Sequence, residues 1–402
     1  MKRYVHIAIA LLTIAAGCTK SSLVDVPESQ KTPITFEPYS GKAPVTKATE
    51  VNNNTIRKAI NNGGGFHVTG FLHTETTSGE GDAAIVENTT DYTKTYMSSD
   101  VYDSTVGEGT AASWVTDVIS YWPASGSLDF VAYGLNTDKT LSDGSQMMNF
   151  NGNKISFTFK VPGSVAEQED LVVSDFMSKK VLPSSGNADG VDQSGTVTFT
   201  LKHLLSRVGF KVQTLYTTES APDVTITITD ITLHGGFVNE GTVDLTAASV
   251  AIAPDATKTT TSYTFFEEGE YFEAAATKDP VQIYATGTTA TLPEGTTFSP
   301  KTTDCYMMLM PGEVEDNATA IDQTIGKNPY VEITYQLSGA GPQTKRLALP
   351  DIPGASEDVT TNWAFAANKA YEFLFTVSVE SIDFSAEVTD WDYYMGDGNI
   401  YM

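Results

Sequence analysis

The chain has 402 residues, 40% of them hydrophobic, and a formal net charge of −26 at pH 7. This length and apolar content predict two or three domains with sizeable cores and exclude a chain that is disordered throughout. The negative charge argues against binding to nucleic acid or to anionic lipid head groups, so membrane contact is expected only through a covalently attached lipid.

The first 18 residues have the pattern of a bacterial lipoprotein signal. Two basic residues precede an apolar run over residues 5–16, which is too short to span a bilayer, and small residues then lead to Cys18. We predict that residues 1–17 are a signal peptide and that Cys18 becomes the lipidated, palmitate-bearing first residue of the mature chain. Ala15 stands where such signals usually have leucine, and the alternative is an ordinary signal peptide cleaved nearby, with Cys18 incidental.

Residues 18–47 are predicted to hold a lipid tether and one short strand. The sequence Ile34-Thr35-Phe36-Glu37 alternates apolar and polar residues, and the strand is expected to stop at Pro38. The following residues, as far as residue 65, are rich in Asn, Gly and Lys. This composition predicts an exposed connection of the kind that proteases cut.

From Phe66 onwards the pattern is almost wholly β. Apolar and polar residues alternate in most of residues 66–72, 128–132, 155–161, 197–201, 208–212, 224–233, 281–283, 306–310, 331–335, 371–379 and 382–388. Alternation with one apolar face predicts antiparallel sheets stacked as sandwiches. At Asp230 the alternation changes phase, which predicts a β-bulge. The helix candidates are short and lie near residues 55–60 and 165–170.

The predicted division between domains lies in a loop rich in Ser, Gly, Asp and Asn over residues 183–195. We therefore expect an all-β protein with an N-terminal β-sandwich over residues 48–190 and a C-terminal β-sandwich over residues 191–402.

Residue types with catalytic or metal-binding chemistry do not form a recognisable site. His67 and His73 share one side of a strand but lie roughly 20 Å apart, too far to share a metal. His203 precedes Ser206 by three residues without the glycine-flanked turn of a nucleophilic serine. Cys305 has no disulfide partner if Cys18 is lipidated, which excludes a cysteine metal cluster. The interpretation is a protein that is not an enzyme and needs no metal or cofactor.

Several short segments occur in a characteristic order after the lipoprotein signal and Ile34-Thr35-Phe36. They are Val45–Ala48, Phe66–Phe71, Tyr121–Pro123, Leu128–Tyr133, Glu169–Leu171, Phe199–Val208, Met308–Pro311, Asn368–Tyr371 and Val388–Trp391. In order and spacing they resemble the fimbrillins of Bacteroidetes, especially the Mfa-like group. The resemblance implies two tandem transthyretin-like β-sandwich domains and assembly into pili on the outer membrane.

The resemblance also implies how such a subunit is processed. The precursor travels as a lipoprotein, and a trypsin-like protease removes the N-terminal segment with its first strand. Ile34 and Phe36 would then be the residues that plug a groove until the cut is made. The scissile bond would follow Lys47, where the family commonly has arginine, and Arg57 is the alternative site. The other reading is that these cations only keep a linker soluble.

The vacated groove would accept a strand from the next subunit, usually from its C-terminal tail. In this chain the donor would come from residues 382–402. Ile382, Phe384 and Val388 would face the groove, or they would form an ordinary final strand. In the second case the donor is the tail Trp391–Met402, with Trp391 and Ile400 among its plugs.

The resulting expectation is a structural pilus subunit, or an anchor or tip relative, at the outer membrane and in the fimbria. Its expected partners are other pilin subunits arranged head-to-tail, the protease, and a host or bacterial surface ligand in adhesion. The alternative is a monomeric surface lipoprotein that binds glycan or host protein.

Overall fold

The computed structural model describes residues 32–39, 65–78, 85–104, 114–123, 127–134, 140–152, 155–180, 195–215, 224–284, 287–288, 306–314, 329–349, 364–378 and 381–390. Within these ranges the chain forms 25 strands in five sheets, and the helical element is one 3-10 turn, Val165–Glu167. The all-β fold predicted from alternation is confirmed. The helix predicted near residues 165–170 is reduced to that turn, and residues 55–60 lie outside the described ranges.

The first sheet has eight strands and is built mainly from the N-terminal half of the chain. Its order is β1 (Thr35–Tyr39), β10 (Thr196–His203), β8 (Val172–Ser174), β5 (Ser127–Gly134), β2 (Phe66–Ser78), β3 (Ile85–Asp103) and β4 (Trp114–Thr116), with β9 (Met177–Lys180) beside β5. Its described pairings are antiparallel except that of β1 with β10, which is parallel.

The other sheets hold most of the C-terminal half. The five-stranded sheet contains β17 (Val281–Gln282), β11 (Ser206–Thr214), β24 (Lys369–Val377) and β25 (Ile382–Asp390), with β19 (Tyr306–Leu309) beside β11. The six-stranded sheet contains β18 (Gly287–Thr288), β16 (Glu270–Ala275), β12 (Thr225–Val238), β21 (Tyr330–Leu337) and β22 (Gln343–Ala348), with β15 (Thr259–Thr264) beside β12. Smaller sheets are formed by β14 (Ile252–Pro254), β13 (Glu240–Asp244), β7 (Ser156–Lys160) and β6 (Met148–Phe150), and by β20 (Gly312–Glu313) with β23 (Ala364–Phe365).

Two hydrophobic clusters hold these sheets together, and β5 contributes to both. All eight of its residues are buried, because both faces of the strand are covered. Phe130 and Ala132 belong to the smaller cluster, whereas Val131 and Tyr133 belong to the larger one. The strand therefore joins the core around β1 to the core of the C-terminal sheets.

The bulge predicted at Asp230 is confirmed. The register between β12 and β21 shifts between Ile228 and Asp230, so one extra residue on β12 restores the apolar face to Ile231. Leu233, two residues further on, is fully buried as well.

Three strand pairings cross the predicted division at residues 190/191. β10 pairs with β1 and with β8 in the eight-stranded sheet, and β7 pairs with β13 of the C-terminal half. The chain therefore passes from one sheet to another more than once, and the boundaries 48–190 and 191–402 remain a prediction.

Candidate functional site

The first strand lies at the end of the eight-stranded sheet and fills a slot in the smaller core. Thr35 to Tyr39 pair in parallel register with Thr196 to Thr200 of β10. Ile34 and Phe36 are each only 2% exposed, whereas Thr35 between them faces solvent. The apolar residues of the alternating sequence thus face the core, and the polar residue between them faces solvent.

Aromatic rings line the part of the slot that holds Phe36. Its ring stacks on Phe199 at a centroid distance of 5.8 Å and meets Phe130 edge-on at 5.7 Å. Phe199 in turn contacts the edge of Phe66 at 6.1 Å. Offset and edge-on contacts of this kind add to the stabilisation from burial, so the slot favours an aromatic side chain at this position.

A second wall of the slot is the segment that follows β4. The Ile34 N–H donates to the Ser120 carbonyl at 2.8 Å, and the Trp122 N–H donates to the Thr32 carbonyl at 3.0 Å. Pro33 and Tyr121 form an antiparallel bridge between these two bonds. The first strand is therefore held between β10 and residues 120–122, and it closes the gap between the two ends of the sheet.

The expected end of the strand at Pro38 is wrong, because the strand continues to Tyr39. In a strand, every second N–H points to the same edge, and the N–H of Ile34 points towards Ser120 and away from β10. The nitrogen of Pro38 lies on that same edge, so the missing N–H removes no bond to β10. Proline is tolerated in strands at such outward-facing edge positions.

Comparison with known proteins identifies the family. The profile of the fimbrillin-like family matches residues 46–391. The chain belongs to the fimbrillin-like family. Its structure is similar to that of a fimbrial protein from Bacteroides vulgatus, with a TM-score of 0.50 and 16% identity over 89% of this chain and 99% of the other.

A second similar structure is the tip fimbrial protein Mfa3 from Porphyromonas gingivalis with a C-terminal truncation. It has a TM-score of 0.36 and 12% identity over 85% of this chain and 97% of that one. Among curated protein sequences, none matches the chain. In the described part of this fimbrillin-like chain, no helix is sufficiently long and apolar to cross a membrane.

The C-terminal strand of this fimbrillin-like chain pairs within its own sheet. All nine residues of β25 pair antiparallel with β24, from Lys369 opposite Asp390 to Val377 opposite Ile382. Phe384 stacks on Phe375 at 4.9 Å. Ile382, Phe384, Ala386 and Val388 are partly buried against the larger cluster. These residues form the ordinary final strand that the sequence left open, and their use as donor plugs remains a prediction.

The remaining predicted sites fall on other parts of the chain. Cys18, Lys47, Arg57, Trp391 and Ile400 lie outside the described residues. Lipidation, processing and donation of the tail therefore remain predictions.

Three histidines of the described chain each face a carboxylate. His203 Nδ1 lies 2.7 Å from Asp170 in the buried interior, His67 Nδ1 lies 2.7 Å from Asp100, and His73 Nδ1 lies 3.0 Å from Asp129. Within the described ranges no three His, Cys, Asp or Glu side chains are placed to hold a metal ion. These pairs join neighbouring strands of the first sheet, or the sheet to the residues just before β8.

Ser206, the serine nearest to His203 in sequence, bonds elsewhere. Its Oγ donates to the Ala366 carbonyl at 2.9 Å. The hydroxyl therefore ties the start of β11 to the residues just before β24. No serine–histidine pair of the nucleophilic kind is formed by these two residues.

A charged cluster lies on the face of the five-stranded sheet beside β25. Glu372 on β24 is opposite Glu387 on β25 and faces Lys211 at 3.8 Å and Arg207 at 4.0 Å. The Arg207 guanidinium lies over the Tyr306 ring, 4.3 Å from its centroid. Burial raises the pKa of Glu372 above its ordinary value, and the cations beside it oppose that rise.

Sequence reasoning missed the wall formed by residues 120–122. Tyr121–Pro123 entered the prediction as one segment of the family pattern, and nothing in its composition indicated which strand it would meet. The signal available in the sequence was Trp122 beside Pro123, shortly after the apolar pair Val118-Ile119.

Proposed function

We propose that the protein is a pilus subunit at the cell surface, exported as an outer-membrane lipoprotein and assembled by strand exchange, with a role in adhesion. The observation that carries the proposal is the position of the first strand. It closes a sheet and fills a core slot through Ile34 and Phe36, and it precedes residues 40–64, whose composition predicts cleavage by proteases. Membership of the fimbrillin-like family supports the same role.

Removal of the first strand would leave two unpaired edges and an apolar slot. The edges are those of β10 and residues 120–122, and the slot is the space of Ile34 and Phe36. Exposed edges and apolar surface of this kind are unfavourable in water, and one added strand satisfies both. Contact between the groove of one copy and the tail of the next is head-to-tail, and repetition without closure builds a filament.

The donor in this proposal is the tail Trp391–Met402, because β25 is already paired with β24 over its whole length. Trp391 and Ile400 are the proposed plugs. Exchange of β25 itself, with Ile382, Phe384 and Val388 moving to another copy, would require all nine residue pairs with β24 to separate.

In the proposed sequence of events the lipid on Cys18 delivers the subunit, and a trypsin-like protease then cuts after Lys47. Arg57 is the alternative cleavage site. The family profile begins to match at residue 46, beside Lys47, and leaves the first strand outside the matched region.

The test combines a processing-resistant variant with N-terminal sequencing of surface-extracted protein. The Lys47→Ala, Arg57→Ala double variant is expected to remain lipidated and monomeric, whereas wild-type protein loses the first strand and forms ladders that resist SDS. Lys42→Ala, a change in the same connection, is the matched control and should polymerise normally.

Normal pili from the double variant would contradict the processing model. Wild-type protein that stays monomeric after cleavage yet binds glycan or host protein would contradict polymerisation. That result would support the alternative of a monomeric surface lipoprotein.

A further inference from the structure

A hydrogen bond joins the two walls of the slot. The indole N–H of Trp122 donates to the carbonyl of Gly195 at 3.2 Å, and Trp122 is only 5% exposed. Trp122 ends the wall formed by residues 120–122, and Gly195 immediately precedes β10, which forms the other wall. The bond therefore spans the slot just beyond the place where the first strand enters it.

Gly195 has both a conformational and a steric reason to lack a side chain. Its φ of +85° lies in the left-handed region that favours glycine. A Cβ atom there would lie 2.9 Å from Trp122 Nε1 and 3.0 Å from both the Pro33 oxygen and Thr32 Cγ2. Both walls and the start of the first strand thus meet at this one residue.

The Trp122 side chain is held by parts of the protein that stay when the first strand leaves. Its ring packs edge-on against Phe130 at 5.8 Å, with an interplanar angle of 87°. Neither Phe130 nor Gly195 belongs to the segment before Lys47. Release of the first strand removes the acceptor of the Trp122 backbone bond, the Thr32 carbonyl, whereas the acceptor of the indole bond, the Gly195 carbonyl, stays in the protein.

We propose that Trp122 is a positioning residue whose bond to Gly195 keeps the two walls one strand apart after the first strand has gone. The inference rests on the proposed function, since it concerns the emptied slot. Without such a bond, the walls of an empty apolar slot would move together, because contact between them removes apolar surface from water. The free energy needed to separate the walls again would weaken and slow the binding of the next strand, and a slot that stays open does not require it.

The same geometry defines the ligand as one extended segment of a second copy. Two large apolar side chains must stand two positions apart to replace Ile34 and Phe36, and the site between Phe130 and Phe199 favours an aromatic ring. In the tail this spacing occurs at Trp391 and Tyr393, at Tyr393 and Met395, and at Ile400 and Met402.

Trp122→Phe tests the inference, because it removes the indole N–H and keeps an aromatic ring against Phe130. The full mature chain is used without its lipid, with a specific protease site in place of Lys47. After the released segment has been separated, the protein is titrated with a fluorescent peptide of residues 32–39. Trp114→Phe is the matched control, because Trp114 packs on Phe66 at 6.0 Å in the same core.

We expect Trp122→Phe to bind the peptide about tenfold more weakly, mainly through slower association, and Trp114→Phe to bind like wild type. Equal association rates for Trp122→Phe and wild type would overturn the inference about Trp122. Binding of the peptide by both proteins would still support the proposed slot. Failure of the wild-type protein to bind the peptide would instead overturn the proposed function.

A second measurement needs no variant. Hydrogen exchange of the Trp122 indole N–H in the wild-type protein is expected to stay slow after the first strand has been released. Exchange as fast as that of a free indole would show that the bond opens with the slot, and would overturn the inference.

Discussion

Replacement of Phe36 by alanine measures how firmly the core holds the first strand. The side chain is 2% exposed and has two rings within 5.8 Å of its own. Phe→Ala substitutions in cores cost about 3–5 kcal/mol, from lost burial and the cavity left behind. The first strand has only five residues, so it can shift towards the space that the ring leaves. We therefore expect the low end, about 3 kcal/mol, in the free energy of opening the strand.

The assay follows the backbone that the first strand protects. An opening free energy lowered by about 3 kcal/mol corresponds to roughly a hundredfold faster hydrogen exchange of amides released with the strand. The amides to follow are those of residues 196–200 and the N–H of Trp122, in the full-length, uncleaved protein. Strands β12 and β21, in a separate sheet, provide the internal reference.

Thr35→Ala is the matched control for this measurement. Thr35 lies in the same strand but faces solvent, and its hydroxyl contacts that of Thr196 at 2.7 Å. Exposed substitutions of this kind usually change stability by about 0.5 kcal/mol or less. If Thr35→Ala and Phe36→Ala accelerated exchange by the same factor, burial of Phe36 would not be what holds the strand, and the reasoning would fail.

Three further predictions follow from other contacts. Gly195→Ala should lower the stability of the uncleaved protein by about 1–2 kcal/mol in urea unfolding, because alanine is strained at a positive φ; an unchanged midpoint would contradict this. Deletion of residues 391–402 should leave the circular dichroism of the fold intact and abolish polymers, and unchanged polymer length would point to another donor. The Glu372→Gln variant should gain stability relative to wild type as the pH rises from about 4 to about 7. A carboxyl whose pKa is raised in the folded state stabilises the fold only below that pKa, so wild-type Glu372 loses this contribution as the pH rises through it. Urea unfolding at both pH values measures this, and a pH-independent difference would refute the assignment.

The strands that sequence alone could predict are those with one covered face. β10 has buried Val197, Phe199 and Leu201 between threonines, and β12 changes phase where Asp230 adds a residue. In such strands successive side chains point alternately to the core and to solvent, so the alternation of apolar and polar residues predicts which of them are buried.

Strands without that alternation were not predicted. β3 runs from Ile85 to Asp103 and includes the mainly polar sequence Thr89–Thr95. Its residues therefore do not show the two-residue alternation of apolar and polar side chains that predicts a strand. Its place is set by pairing with β2 over most of its length, which is a contact between distant parts of the chain. β-propensity depends strongly on such neighbours, and a single sequence does not contain them.

The sequence was sufficient to predict the two side chains that fill the slot, but not the segments that form its walls. Ile34 and Phe36 alternate with polar residues, which was enough to place both in a core. The parallel direction of β1, the wall at residues 120–122 and the bond from Trp122 to Gly195 depend on contacts across some 70 to 160 positions of sequence. Local pattern does not specify pairing over such separations.

The two terminal strands of the described chain differ in the way that the proposed strand exchange would require. β1 has five residue pairs with β10, and the residues just before it make two backbone bonds to residues 120–122, whereas β25 has nine residue pairs with β24. The apolar side chains of β25 are only partly buried, but Ile34 and Phe36 are almost fully enclosed. In the proposed exchange, a short ladder would leave few backbone bonds to break after cleavage, and deep side-chain sites would select the strand that replaces it. β1 therefore combines a short backbone ladder with deeply buried side chains. β25 combines a longer ladder with shallower burial, which suits a strand that remains in place.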